Sequence, residues 1–318
     1  MTLTNYKILI VDDSAFSQKY LRTILDKAGA HIFTANNGKE ALDVCQKNKL
    51  NLILSDINMP VMDGFELIKQ LNELKLYIPR VLITNMDIDK YLELAIENDI
   101  GNILSKPVNP RELVTLCHKL ITQKGIFGIN NYLPGGKSLK KIKIINSGQI
   151  RPTIDIINTD ALDAGMAEEN KAYLKMILSE VIINAVYHAH GYTEEKQRSA
   201  SISLKENEKV EVCFGTGNKK YGISVTDFQG KLTKESILKA FKSYVDQEEM
   251  LENAMSTGED ISDLLSTTGR GLQMIRMMAN EYYFNIKKGE QTEVIILLDF
   301  NKEDKEEKQS SIKINEVY

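Results

Sequence analysis

Asn51-Leu52-Ile53-Leu54-Ser55-Asp56-Ile57-Asn58-Met59-Pro60 begins as a short apolar run and closes on an acid. A continuous apolar run of this length marks a strand buried on both faces, and such strands belong to parallel sheets. The same figure repeats on either side. Strand signals recur at residues 7–11, 31–35, 80–84 and 101–104, and helical patterns fill the gaps at 14–28, 38–48, 64–74, 87–98 and 110–123. Five strands and five helices in strict alternation predict a doubly wound parallel sheet in the order 2-1-3-4-5, covered by helices on both faces.

Three acids fall at strand ends. Asp12 and Asp13 follow the first strand, and Asp56 follows the third. In that order the two strands are neighbours, and their carboxyl ends face the crevice where open α/β sheets bind ligands. Converging carboxylates repel one another unless a cation stands among them. A hard divalent ion such as Mg²⁺, which prefers oxygen ligands and phosphate, meets that need. Asp56 is then placed to attack phosphorus and form an acyl phosphate. Thr84, closing the fourth strand, and Lys106, following the fifth, reach the same crevice, where a hydroxyl and an ammonium hold phosphoryl oxygens. Lys106 precedes Pro107, a bond able to take the cis form. The bland alternative is that the acids only cap helices and turns, Asp13 before a helix and Asp63 before Gly64.

Taken in order, Asp12-Asp13, Asp56-Ile57-Asn58-Met59-Pro60, Met62-Asp63-Gly64, Thr84 and Lys106-Pro107 resemble the response-regulator receiver family over residues 1–123. The resemblance implies a flavodoxin-like (βα)5 fold and phosphorylation of Asp56, fed by an upstream histidine kinase. It implies Asp12, Asp13, Asp56 and the Asn58 carbonyl as Mg²⁺ ligands, and Thr84 and Lys106 as switch and phosphate contacts. Related receivers usually carry an aromatic switch residue three positions before the lysine. Here that position is Ile103, and residue 85, usually small, is Asn.

Residues 124–138, with Gly125, Gly128, Pro134, Gly135 and Gly136, break the pattern and read as a linker. Beyond it, residues 139–157 suggest two strands, 168–190 a long helix, and 200–205, 209–214 and 221–226 further strands. Residues 232–268 are polar and weakly helical, a helix follows from about 269 to 280, and strands at 282–287 and 293–300 close the domain. On the long helix Glu180, Asn184 and His188 are four apart and share one face. A solvated stripe is the commoner use of such spacing. Two later features favour a cleft. The strand at 221–226 ends in Asp227, and Gly269-Arg270-Gly271-Leu272 opens a helix, where glycines let backbone N–H groups approach phosphate.

In this order the three features resemble the Bergerat-type ATP-binding fold of gyrase-type ATPases and histidine kinases, an α+β two-layer domain. Within that group they look most like the anti-sigma-factor serine kinases. The resemblance implies ATP and Mg²⁺ as cofactors, with Asn184 as a metal ligand, Glu180 as catalytic base, and Asp227 facing the adenine amino group. His188, Gly230, Gly269, Gly271 and Leu272 complete the ATP-binding set. The family's first glycine box has glycines where this chain has Gln229 and Lys231, with Gly230 between them. Histidine kinase activity is not expected. His118 has no acidic follower, and Tyr187 stands where those enzymes commonly have lysine.

The chain of 318 residues is thus read as a receiver at 1–123, a linker at 124–138, an ATP-binding domain at 139–301 and a charged, mobile tail at 302–318. A formal net charge of -4 argues against non-specific binding to nucleic acid or to an anionic membrane. Cys45, Cys117 and Cys213 have no metal-ligand spacing and read as reduced thiols. No apolar run approaches a membrane span, and no signal peptide is visible, so a cytoplasmic location is expected. The expected function is a two-component regulator whose receiver controls a serine/threonine protein kinase acting on an anti-sigma-antagonist-like protein. The alternative is a module that sequesters a partner such as a sigma factor without kinase activity. A homodimer is the expected assembly, since both families often pair.

Overall fold

The apolar run at residue 52 becomes the middle of a parallel sheet. The computed structural model describes residues 2–133, 135–192, 200–217, 219–257, 272, 275–276, 279–300 and 311–317. The chain divides into two units, Met1–Ile126 with Gln309–Asn315, and Phe127–Lys308 with Glu316–Tyr318.

In the first unit, β1 (Lys7–Val11), β2 (His31–Ala35), β3 (Leu52–Asp56), β4 (Arg80–Thr84) and β5 (Asn102–Ser105) pair in parallel in the order β2-β1-β3-β4-β5. The helices are α1 (Ala15–Lys27), α2 (Gly38–Lys47), α3 (Gly64–Glu73), α4 (Leu92–Glu97) and α5 (Pro110–Thr122). Successive side chains of each strand point to opposite faces, which sorts the core into two layers. Ile8, Ile10, Leu52, Leu54, Val81 and Ile83 pack on Leu21, Leu25, Leu113 and Leu116 of α1 and α5. Leu9, Val11 and Ile53 pack on Ala41, Leu67 and Leu71 of α2 and α3. Burial of each such Leu or Ile stabilises the unit by about 1.5–3 kcal/mol. α4 is shorter than the sequence pattern suggests, because Ile88–Tyr91 winds into a 3-10 turn before it.

Cys45 and Cys117 sit inside these layers. Burial pushes the Cys45 thiol up to about 11 and the Cys117 thiol higher still. Since the thiolate is the reactive species, both should stay unmodified by iodoacetamide at neutral pH in the folded chain. Intact-mass spectrometry before and after denaturation checks this, and labelling of either in the native protein would contradict the packing.

The second unit is built on an antiparallel sheet of β6 (Lys137–Ile144), β7 (Val210–Gly217), β8 (Lys220–Asp227), β9 (Glu281–Lys287) and β10 (Gln291–Asp299), in the order β9-β10-β8-β7-β6. α6 (Ile150–Asp163) and α7 (Lys171–Val186) pack together on one face. The Tyr221 hydroxyl of β8 donates to Asp160 of α6 at 2.8 Å. On the opposite face, Ile129, Tyr132 and Leu133 pack against Tyr283, Ile295 and Leu297. α8 (Lys234–Thr257) fills most of the polar stretch after β8.

Several expectations change here. The residues read as a linker supply an apolar layer under the second sheet. Residues 139–157 give one strand and the start of α6 rather than two strands, because Ile150, Thr153, Ile154 and Ile157 recur at helical spacing on a buried face. Residues 200–205 form no strand beyond a single bridge from Ser203 to Asn146. The long helix stops at Val186, and His188–His190 continues as a 3-10 turn.

Part of the stretch read as a tail also folds. Ile312–Val317 is β11, which pairs antiparallel with β5 through Ile312 opposite Ile103 and Lys313 opposite Asn102. No helix among the described residues is long and apolar enough to cross a membrane.

Candidate functional site

The first cluster lies at the carboxyl ends of β1, β3, β4 and β5. Asp12 and Asp56 are buried there, and the Lys106 ammonium spans them, 2.8 Å from Asp12 Oδ2 and in direct contact with Asp56 Oδ1. Each carboxylate's other oxygen accepts a backbone N–H, Ser14 to Asp12 at 2.9 Å and Asn58 to Asp56 at 2.7 Å. Burial raises the Asp56 carboxyl above its ordinary range, with neighbouring Asp12 adding to it and Lys106 opposing. Burial pulls the Lys106 ammonium down, but its bonds to Asp12 and Asp56 outweigh that and leave it above its usual value.

Thr84 is wholly buried, and its hydroxyl accepts the Met86 N–H at 3.0 Å. The Lys106–Pro107 bond is cis, and the Lys106 N–H donates to the Thr84 carbonyl at 2.7 Å. Gly64 is required beside the cluster, since a Cβ there would meet the Asp56 carbonyl oxygen at 2.5 Å.

Converging carboxylates call for positive charge. The Lys106 ammonium offsets one of the two charges of Asp12 and Asp56, and Asp13 is exposed. Among the described residues no group of three or more His, Cys, Asp and Glu side chains comes together as a ready-made metal cage. The capping alternative holds for Asp63, which caps α3 in a reciprocal box with Glu66, but Ser14 rather than Asp13 caps α1. Ile103 is fully buried between β4 and β11.

The second cluster centres on Asp227, at the end of β8. Its Oδ1 accepts the N–H groups of Gln229 at 3.0 Å and Gly230 at 3.1 Å. Burial raises this carboxyl, and those two N–H donors oppose the rise. Thr292 stands opposite it in the β8–β10 ladder, and its buried hydroxyl lies beside the carboxyl and opposes the rise as well. Glu180 and Asn184 lie half-exposed on α7, which packs on β8, and their side chains make no hydrogen bond or ion pair among the described residues. His188 is half-exposed in the turn after α7, and Leu272 is helical and half-buried. Gly269 and Gly271 lie outside the described residues.

Comparison with known proteins matches both halves. The response regulator receiver domain family matches residues 8–118, and the histidine kinase-like ATPase domain family matches residues 146–298. An uncharacterized 14.6 kDa protein of Leptolyngbya boryana is 37% identical over 120 residues, covering 37% of this chain and 92% of that protein. This chain belongs to the response regulator receiver family. The sensor histidine kinase RcsC of Salmonella typhimurium is 38% identical over 101 residues, which cover 32% of this chain but only 11% of the kinase. Among solved structures, the chemotaxis protein CheY4 of Vibrio cholerae is 32% identical, covers 36% of this chain and 98% of its own, and aligns with a TM-score of 0.35. The protein is therefore a two-component response regulator that joins a receiver to a histidine kinase-like ATPase domain.

Two residues of the response regulator's sites escape sequence reasoning. In the receiver, the Tyr91 hydroxyl pairs with the Asn58 side-chain amide at 2.8 Å, and its ring lies 5.9 Å from that of Phe65. Nothing in residues 87–98 marks a tyrosine as reaching the loop after β3. In the ATPase domain, Thr292 is an ordinary strand threonine until the β8–β10 register sets it opposite Asp227.

Gly230 lies between Gln229 and Lys231, the two places where the related first box has glycine. It has φ +56°, and a Cβ would meet the Lys287 carbonyl at 2.5 Å and the Glu290 N at 2.6 Å. Gly230→Ala should destabilise the ATPase domain by about 1–3 kcal/mol, from left-handed strain and backbone overlap. Its denaturant unfolding transition, compared with wild type, reads the change.

Proposed function

We propose that Asp56 accepts a phosphoryl group from a histidine kinase and that this state governs an ATP-dependent serine/threonine kinase of the anti-sigma type. The observation that carries the first half is the Lys106 ammonium joined to Asp12 and Asp56 beside buried Thr84. One Asp56 oxygen forms the new bond to phosphorus, and the donor's P–N bond breaks with its electron pair going to the histidine nitrogen. Lys106 then moves its charge from carboxylate to phosphoryl oxygens, and the Thr84 hydroxyl donates to another.

The residues fit Mg²⁺, which is usually held by one or two carboxylates plus phosphate rather than by a full protein cage. Asp12, Asp56 and the Asn58 carbonyl would hold it, with exposed Asp13 alongside. When bound it neutralises charge between carboxylate and phosphoryl oxygens.

For the second half, the buried Asp227 carboxylate with the Thr292 hydroxyl beside it fits a base that offers both a donor and an acceptor, as adenine does. Asn184 would hold the metal on the phosphates, and ATP when bound supplies the phosphoryl group. Glu180 takes the proton from an attacking serine hydroxyl of a small anti-sigma-antagonist-like protein. A second reading is favoured by the side chains at Gln229 and Lys231 in place of glycine. On it the domain binds nucleotide and sequesters a partner such as a sigma factor without transfer.

Radiolabelled ATP and a serine-bearing partner protein separate the two readings. Transfer that Glu180→Gln reduces at least about 100-fold supports the kinase, in line with loss of a general base. Nucleotide binding with no transfer by wild type supports the sequestering module, and transfer that survives Glu180→Gln removes Glu180 as base.

A further inference from the structure

The β5 edge of the receiver carries a strand that the five-strand pattern does not include. Ile312 and Lys313 pair with Ile103 and Asn102, and the Ile314 N–H donates to the Gly101 carbonyl at 2.9 Å. Asn102 Nδ2 donates to the Ile314 carbonyl at 3.1 Å. The Ser311 hydroxyl accepts the Ser105 N–H at 3.2 Å, and the buried Lys313 ammonium pairs with Glu112 of α5. We propose that residues 311–315 are a releasable strap on the receiver, docked on β5 while Asp56 is unmodified and loosened when Asp56 carries a phosphoryl group. This rests on Asp56 being the phosphoryl acceptor.

The route from acid to strap is short and continuous. Lys106, which contacts Asp56, follows Ser105 directly, and Ser105 lies opposite Thr84 in the β4–β5 ladder. Capture of phosphoryl oxygens draws the Lys106 ammonium and the Thr84 hydroxyl toward the new group, and the hydroxyl gives up its bond from Met86. That shift moves the end of β5, and the first strap contact there is Ser311 on the Ser105 N–H. Ile103 offers no ring to swing, and its place is fixed under Ile312. The movable part at this edge is thus the strand laid across it.

The strap is also built to be tunable. Its ladder has two residue pairs. Much of the rest is polar, and the Asn102 Oδ1 is buried there without a hydrogen-bond partner, a standing cost of the docked state. The buried Lys313–Glu112 pair adds little net hold, since on release both charges return to water together. An interface of this composition is shifted by a small change at β5.

The test uses the full-length chain, acetyl phosphate and Mg²⁺, with intact mass and hydrogen–deuterium exchange read on the same sample. Modified protein should exchange the Ile314 amide at least about ten-fold faster than unmodified protein, with the β1 amides unchanged. Weakening the strap favours the released state, which is the one the phosphorylated receiver adopts. Ser311→Ala and Ile314→Pro should therefore both raise phosphoryl occupancy at a fixed acetyl phosphate concentration. Ser311→Ala leaves the ladder intact, so misfolding does not confound it. No added phosphoryl mass overturns the acceptor assignment and the strap with it. Full modification with unchanged Ile314 exchange, or equal occupancy in wild type and Ser311→Ala, overturns the strap alone.

Discussion

Asp56→Asn is expected to reduce phosphoryl incorporation from acetyl phosphate to background. An amide offers phosphorus no anionic oxygen, so the nucleophile itself is removed. The fold should survive, because Asn58 N–H can still bond to a side-chain oxygen at residue 56. Lys106 keeps Asp12, 2.8 Å away, as its partner. The same loss should follow chelation of divalent metal with EDTA in wild type, since Lys106 alone then offsets the charge of Asp12, Asp56 and the approaching phosphate. Acid-labile label retained by Asp56→Asn would place the acceptor elsewhere, with Asp12, which shares Lys106 with residue 56, and exposed Asp13 the acids to examine.

Asp227→Asn should weaken ATP binding by about 10–100-fold, the equivalent of the roughly 1.5–3 kcal/mol carried by a hydrogen bond to a charged group. The substitution keeps an oxygen for the Gln229 and Gly230 N–H groups but turns the other acceptor into a donor. An amide nitrogen facing an exocyclic amine gives no hydrogen bond. Stability should not fall, because the exchange removes a charge whose burial already lifts its pKa. Titration calorimetry with ATP and with GTP reads both affinity and base preference. Unchanged affinity would move the base site away from the end of β8.

The receiver was legible because its physics is one-dimensional. A strand covered on both faces has no polar positions to spare, so Leu52, Ile53 and Leu54 announce it, and the acid that follows marks the ligand-facing end. What one dimension hides is reach. Lys106 reads as a phosphate contact, yet only the folded sheet shows its ammonium already lying between two carboxylates and offsetting one of their two charges.

In the ATPase domain, local chemistry and period disagree. Ile150, Thr153, Ile154, Ile156 and Ile157 are β-branched and suggest strand, but the buried ones among them follow the helical repeat, and α6 forms. Glycines at 125, 128, 135 and 136 suggest a linker and mask Ile129, Tyr132 and Leu133 among them. β11 is hidden for a similar reason. The charged residues before it, and Lys313 within it, look solvated until Glu112 is found beside that lysine.

Where the chain can be cut follows from residues 127–133. A fragment starting at residue 139 would leave Tyr283, Ile295 and Leu297 facing water and would invite aggregation through that bare sheet surface. One starting at Phe127 takes its own cover along, so the glycine-rich stretch is better regarded as the ATPase domain's floor than as a spacer.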